Sequence, residues 1–124
     1  MKTQWISHKG KKILLADYSG FGFNVAGAQA EMETAIDLAL REPPNSVLTL
    51  TDIQNTKVSP DMYNQMKLTA NRIAPQAVRR AVVGVSGAQR FMLDLVNKLP
   101  GQSGSKQLRA FDNLETAKDW LVSK

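Results

Sequence analysis

The chain is predicted to form one α/β domain, residues 1–124, with a mixed, mostly parallel five-stranded sheet and four helices in the order ββαβαβαβα. Three observations predict it. A length of 124 residues suits one domain. Short apolar runs alternate with longer stretches of helical period, and that alternation calls for parallel strands joined by crossover helices. Proline and Gly/Ser clusters punctuate the runs.

The first two strands are read at Met1–Ser7 and Lys12–Asp17, joined by a turn at His8-Lys9-Gly10-Lys11. Gly10 supplies the positive φ that a tight hairpin needs. Ile13-Leu14-Leu15-Ala16 is continuously apolar, as in a central strand. A helix follows from the cap Asn24 to Arg41, with Val25, Ala28, Met32, Ala35, Ile36 and Ala39 inward and Glu31, Glu33, Thr34 and Asp37 opposite. Pro43-Pro44 stops it. Val47–Thr51 is the third strand. Ser59-Pro60-Asp61 opens the second helix with a cap, a proline at the first helical position and an acid near the positive end of the dipole. Met62, Met66, Ala70 and Ile73 are its inward stripe, and Pro75 ends it. The fourth strand is read at Ala81–Val85. A capping box at Ser86–Gln89 opens a third helix running to about Leu99 and stopped by Pro100-Gly101. Gln102–Lys106 is a polar, mobile connector. Leu108–Phe111 is the last strand, and Asp112–Glu115 is a second capping box opening a helix with Leu114, Ala117 and Leu121 inward.

Composition narrows the function classes. Hydrophobic residues make up 43% and charged residues 22%, as in an ordinary folded domain. The absence of cysteine excludes disulfides, thiolate zinc sites and a cysteine nucleophile. No apolar run reaches the length of a membrane span. The basic start, Met1 to Lys12, has no apolar run behind it, so no secretory signal is read and a cytoplasmic location is expected. The net charge of +5 is uneven: 13–56 is acidic, whereas 57–110 sets nine Lys or Arg against Asp61 and Asp94. That block could steer an acidic partner. Aromatics at 6% are too sparse to provide stacking platforms, so nucleic acid is not an expected partner.

Four segments carry a family resemblance: Ile13–Gly20, Val47–Asp52, Arg80–Gly87, and Phe111-Asp112 with Ala117–Leu121. Over nearly its whole length the chain resembles the STAS superfamily, and within it the bacterial SpoIIAA-like, STAS/SEC14 group. The resemblance implies a STAS-like fold and a bacterial regulatory, protein-binding role without catalysis. It implies a partner of the anti-sigma or kinase kind and a phosphorylated serine where the helix after the third strand begins. Ser59 holds that place, within Val58-Ser59-Pro60-Asp61 instead of the family's Asp-Ser-Ser-Gly. A phosphate there would meet free helical N–H groups, and Asp61 would repel it. As a residue before proline, Ser59 also reads as a plain helix cap.

Ligands of open α/β sheets gather at the carboxyl ends of the strands. Here that rim carries Asp17, Tyr18, Phe21, Phe23, Asp52, Ser86 and Gly87, with Asp112 beyond. The alternative function is therefore a lipid- or nucleotide-binding domain. The aromatics of the rim either line a pocket or fold over the core. The carboxylates either hold a cation or cap turns. The receiver-domain pattern fails, because Tyr18 stands where a second acid is needed and no lysine follows the last strand. His8, the one histidine, is read as an exposed turn residue, and no metal or cofactor is expected. The third helix is apolar beyond one stripe. Phe91, Met92 and Leu93 are read as a face for a partner or a second copy.

Overall fold

The computed structural model describes residues 2–99, 101 and 104–123. Strand β1 (Gln4–His8) turns through Lys9 and Gly10, at φ 51° and 80°, into β2 (Lys11–Asp17). The left-handed pair is the two-residue turn whose twist matches a hairpin. Helix α1 (Val25–Leu40), β3 (Val47–Asp52), α2 (Pro60–Ile73), β4 (Ala77–Val83), α3 (Arg90–Asn97), β5 (Leu108–Phe111) and α4 (Leu114–Val122) follow. Short 3₁₀ turns lie at Ala74–Gln76, Gly87–Gln89 and Gly104–Lys106. The sheet order is β1-β2-β3-β4-β5, antiparallel at β1–β2 and parallel elsewhere, so the α/β class and element order match the sequence reading. Among the described residues no helix is long and apolar enough to cross a membrane.

Because the strand order never reverses, crossovers of one hand carry α1, α2 and α3 to one face. The core divides accordingly. Leu14, Ala16, Val47 and Val82 pack with Ala28, Met32, Met62 and Ile73 on the α1–α2 face. Ile13, Leu50, Ala81 and Val83 pack with Ala117 and Leu121 of α4 on the other. Period-two alternation on β2, β3 and β4 feeds both layers.

Several expectations are corrected. The fourth strand begins at Ala77, not Ala81, and ends at Val83. Arg79 and Arg80 disguise it, yet both are accommodated within the fold. The Arg79 guanidinium donates to the carbonyls of Trp120 (2.9 Å) and Ser123 (2.6 Å), closing the C-terminal end of α4. Glu31 is not on the outer face of α1. It is buried, and its carboxylate accepts the backbone N–H groups of Thr3 (2.8 Å) and Lys2 (3.3 Å). Burial works to raise this carboxyl, but the bonds from Thr3 and Lys2 prevail and hold it below its ordinary value. Helix α3 stops at Asn97, whose side-chain amide exchanges two hydrogen bonds with the Leu108 backbone (2.8 and 3.0 Å). The last helix is capped by Asn113 rather than Asp112, through Oδ1 and the Thr116 N–H (2.8 Å). Of the connector, Gly104–Lys106 is a 3₁₀ turn, fastened by the Lys106 ammonium to the carbonyls of Ala74 (2.7 Å) and Ala77 (2.8 Å). Met1, Pro100, Gln102 and Ser103 lie outside the described residues.

Candidate functional site

Two rows of side chains cross the sheet on the α1–α2 face. The parallel register aligns Leu14, Thr49, Arg80 and Leu108 in one row, and Ala16, Thr51, Val82 and Ala110 in the next. Above them α2 and α3 leave a cavity of about 90 Å³. Its roof is mostly apolar, with Met66, Ala70 and Ile73 from α2 and Met92, Leu93 and Val96 from α3 beside the polar Tyr63, Thr69 and Gln89. The floor is not: Thr49 and Arg80 stand side by side within it, and Tyr18 closes one end.

These polar groups are deeply buried. Arg80 is 3% exposed, Thr49 4% and Tyr18 3%. Burial lowers the Arg80 guanidinium to about 10, with the nearby Tyr18 hydroxyl working the other way. Burial likewise raises Tyr18, eased by the Arg80 charge and reinforced by Glu31, so the phenol keeps its proton. The Thr49 hydroxyl forms no hydrogen bond among the described residues. A donor-bearing spot in a mostly apolar wall can orient a ligand, whereas the apolar part gives only area.

The residues read as a rim do not converge. Asp17 and Asp52 are register partners, but each serves its own turn. Asp17 accepts the Ser19 N–H (3.0 Å) and pairs with the Lys2 ammonium at 3.4 Å. Burial would raise this carboxyl, but the Ser19 and Lys2 contacts outweigh it and hold it low. Buried Asp52 accepts the Gln54 N–H at 3.0 Å. Asp112 is exposed. Phe21 folds against the core edge beside Gly27, where an added Cβ would lie 2.8 Å from its ring. Phe23 points outward, 76% exposed. Ser86 forms its capping box with Gln89, and Gly87 is exposed beside it. Only Tyr18 of this set reaches the cavity wall.

The α3 face also divides. Met92 and Leu93 line the cavity, while Phe91 stays 57% exposed with Leu95 at 46%. Ser59 caps α2, its hydroxyl accepting the Met62 N–H at 3.2 Å. His8 ends β1 rather than sitting in the turn, and its Nε2 lies 2.8 Å from Asp119 Oδ1 on the α4 side. Among the described residues no cluster of three or more His, Asp or Glu could hold a metal ion.

Sequence reasoning missed Arg80 and Thr49. The signal was present in Val47–Thr51, where threonines alternate with aliphatics in a strand that should be buried on both faces. Comparison with protein-family models, curated proteins and solved structures returns no match in any of the three.

Proposed function

We propose that the protein is a non-enzymatic binding module that holds a small, mostly apolar ligand between the α2–α3 pair and the sheet. The observation that carries this reading is an apolar cavity whose floor presents Thr49, Arg80 and Tyr18. Non-enzymatic action agrees with the wall. Tyr18 keeps its proton, while Asp17, Asp52 and His8 are engaged elsewhere. A volume of about 90 Å³ is well below the roughly 300 Å³ at which drug-sized pockets begin. It does not enclose a nucleotide or a two-chain lipid. The test is a thermal-shift and amide-NMR screen of small apolar molecules, run alongside Ala70→Leu, which fills the roof. Binding shifts on α2, α3, β3 and β4 that Ala70→Leu removes are expected. A screen that moves none of those amides overturns the reading.

A regulatory, protein-binding role of STAS type is the second reading. It is favoured by Phe91 and Leu95, one helical turn apart and both exposed on α3. It predicts that Phe91→Ser abolishes capture of one defined partner from the cells that make the protein. A phosphoryl group mapped to Ser59 would add the family's switch. Equal capture by both forms would remove this reading.

A further inference from the structure

We infer that the ligand of the α2–α3 cavity is a small uncharged aliphatic ketone or alcohol whose oxygen accepts a hydrogen bond from the Thr49 hydroxyl. This rests on the cavity being a ligand site and names what occupies it. Thr49 carries the inference. It is 4% exposed and lines the cavity from β3, and its hydroxyl forms no hydrogen bond among the described residues. Other polar residues of the wall are engaged. The Thr69 hydroxyl donates to the Gln65 carbonyl at 2.7 Å, and the Gln89 side chain accepts the Ser86 N–H at 3.3 Å. Arg80, the one charged residue among those described in the wall, already has an interaction partner.

The chemistry of the occupant follows from that wall. With the guanidinium engaged, no unmet charge calls for a counter-ion, and an ion would have to leave water for a mostly apolar space. The Tyr18 phenol at the end of the cavity keeps its proton and adds no charge. A pure hydrocarbon would fill the space, but it would displace water from Thr49 and leave the hydroxyl unpaired. A hydroxyl donates one bond, so a single ketone or alcohol oxygen satisfies it. Size follows from volume. A dry cavity of about 150 Å³ holds benzene, so about 90 Å³ suits a molecule of roughly four or five carbon and oxygen atoms.

The experiment is an amide-NMR titration of the full chain with three molecules of one shape. They are butanone, its alkene isostere with CH₂ in place of the oxygen, and propanoate, with O⁻ in place of one methyl. Butanone is expected to shift amides of β3, β4, α2 and α3 and to bind at least about tenfold tighter than propanoate. Thr49→Val, which keeps the shape of the side chain, should weaken butanone about fivefold and leave the alkene as it was or tighter. Thr49→Ser should retain the wild-type preference. In the wild-type chain, nuclear Overhauser contacts are expected between bound butanone and the Thr49 methyl. Their absence overturns the pairing even where a variant fails to fold. Propanoate binding as tightly as butanone overturns the uncharged ligand and leaves the cavity reading standing. Equal weakening of butanone and the alkene by Thr49→Val overturns the pairing with Thr49 and likewise spares the cavity. If none of the three molecules moves those amides, both readings fall.

Discussion

Arg80 and Glu31 are both buried ionisable groups. Burial pulls the guanidinium down and would push the carboxyl up. Glu31 gives stability. Its folded pKa lies below the unfolded value, so its contribution is full above the ordinary carboxyl pKa of about 4.3 and is lost as pH falls through the folded value. Glu31→Gln is expected to lower stability near neutrality by about 1–3 kcal/mol and to flatten its decline in acid. Urea midpoints from pH 7 to pH 2 measure both. Gly84 is a third sensitive residue: its φ is 98°, and a Cβ would lie 2.6 Å from the Gln54 backbone nitrogen. Gly84→Ala is expected to destabilise by at least about 2 kcal/mol in chemical denaturation. The close approach at Gly84 and the burial of Glu31 could not be read from the chain, because both depend on what distant backbone lies beside them.

Helix starts were the most legible elements, since a cap bonds only to residues two or three places on. Asn24 and Ser59 stand where the sequence puts them. The second capping box slipped by one residue because Asp112 and Asn113 are adjacent caps of similar quality, and packing of α4 decided between them. The start of strand β4 was placed four residues late because two arginines suppress its apolar signal, although one reaches a helix end and the other a cavity. Ser59→Ala is expected to cost about 1 kcal/mol, whereas Ser59→Asp retains most of the cap. Thermal denaturation of the pair separates the structural role of Ser59 from any regulatory one. Asn97 ties α3 to β5 by two bonds, so Asn97→Ala is expected to loosen the roof. Hydrogen exchange in α3 should accelerate by about tenfold or more, with α1 unaffected.

Across the whole molecule, fold class was legible and site location was not. The rim expectation assumed a crevice at the carboxyl ends, which in open sheets forms where strand order reverses. This sheet has no reversal, so consecutive loops leave toward one face and the accessible space lies within a layer rather than at an edge. The basic block was also partly misleading. Arg79, Arg80 and Lys106 are taken up inside the fold, and Arg109 lies over the Trp120 ring with its charged group 5.2 Å from the centroid. Lys57, Arg72, Arg90 and Lys98 of the same block stay exposed. Weak retention on heparin that is lost at low salt is the expected outcome, and retention that persists to high salt would contradict it.

The unreversed strand order also bears on how the molecule is assembled. Each strand pairs with the one made just before it, so every partner is already present when a new strand leaves the ribosome. The sheet can widen in the direction of synthesis, with no early strand waiting for a late one. Only the α4 face must wait: Ile13, Leu50, Ala81 and Val83 stay uncovered until the last helix arrives. That interval, rather than strand pairing, is when the nascent chain is most exposed to aggregation.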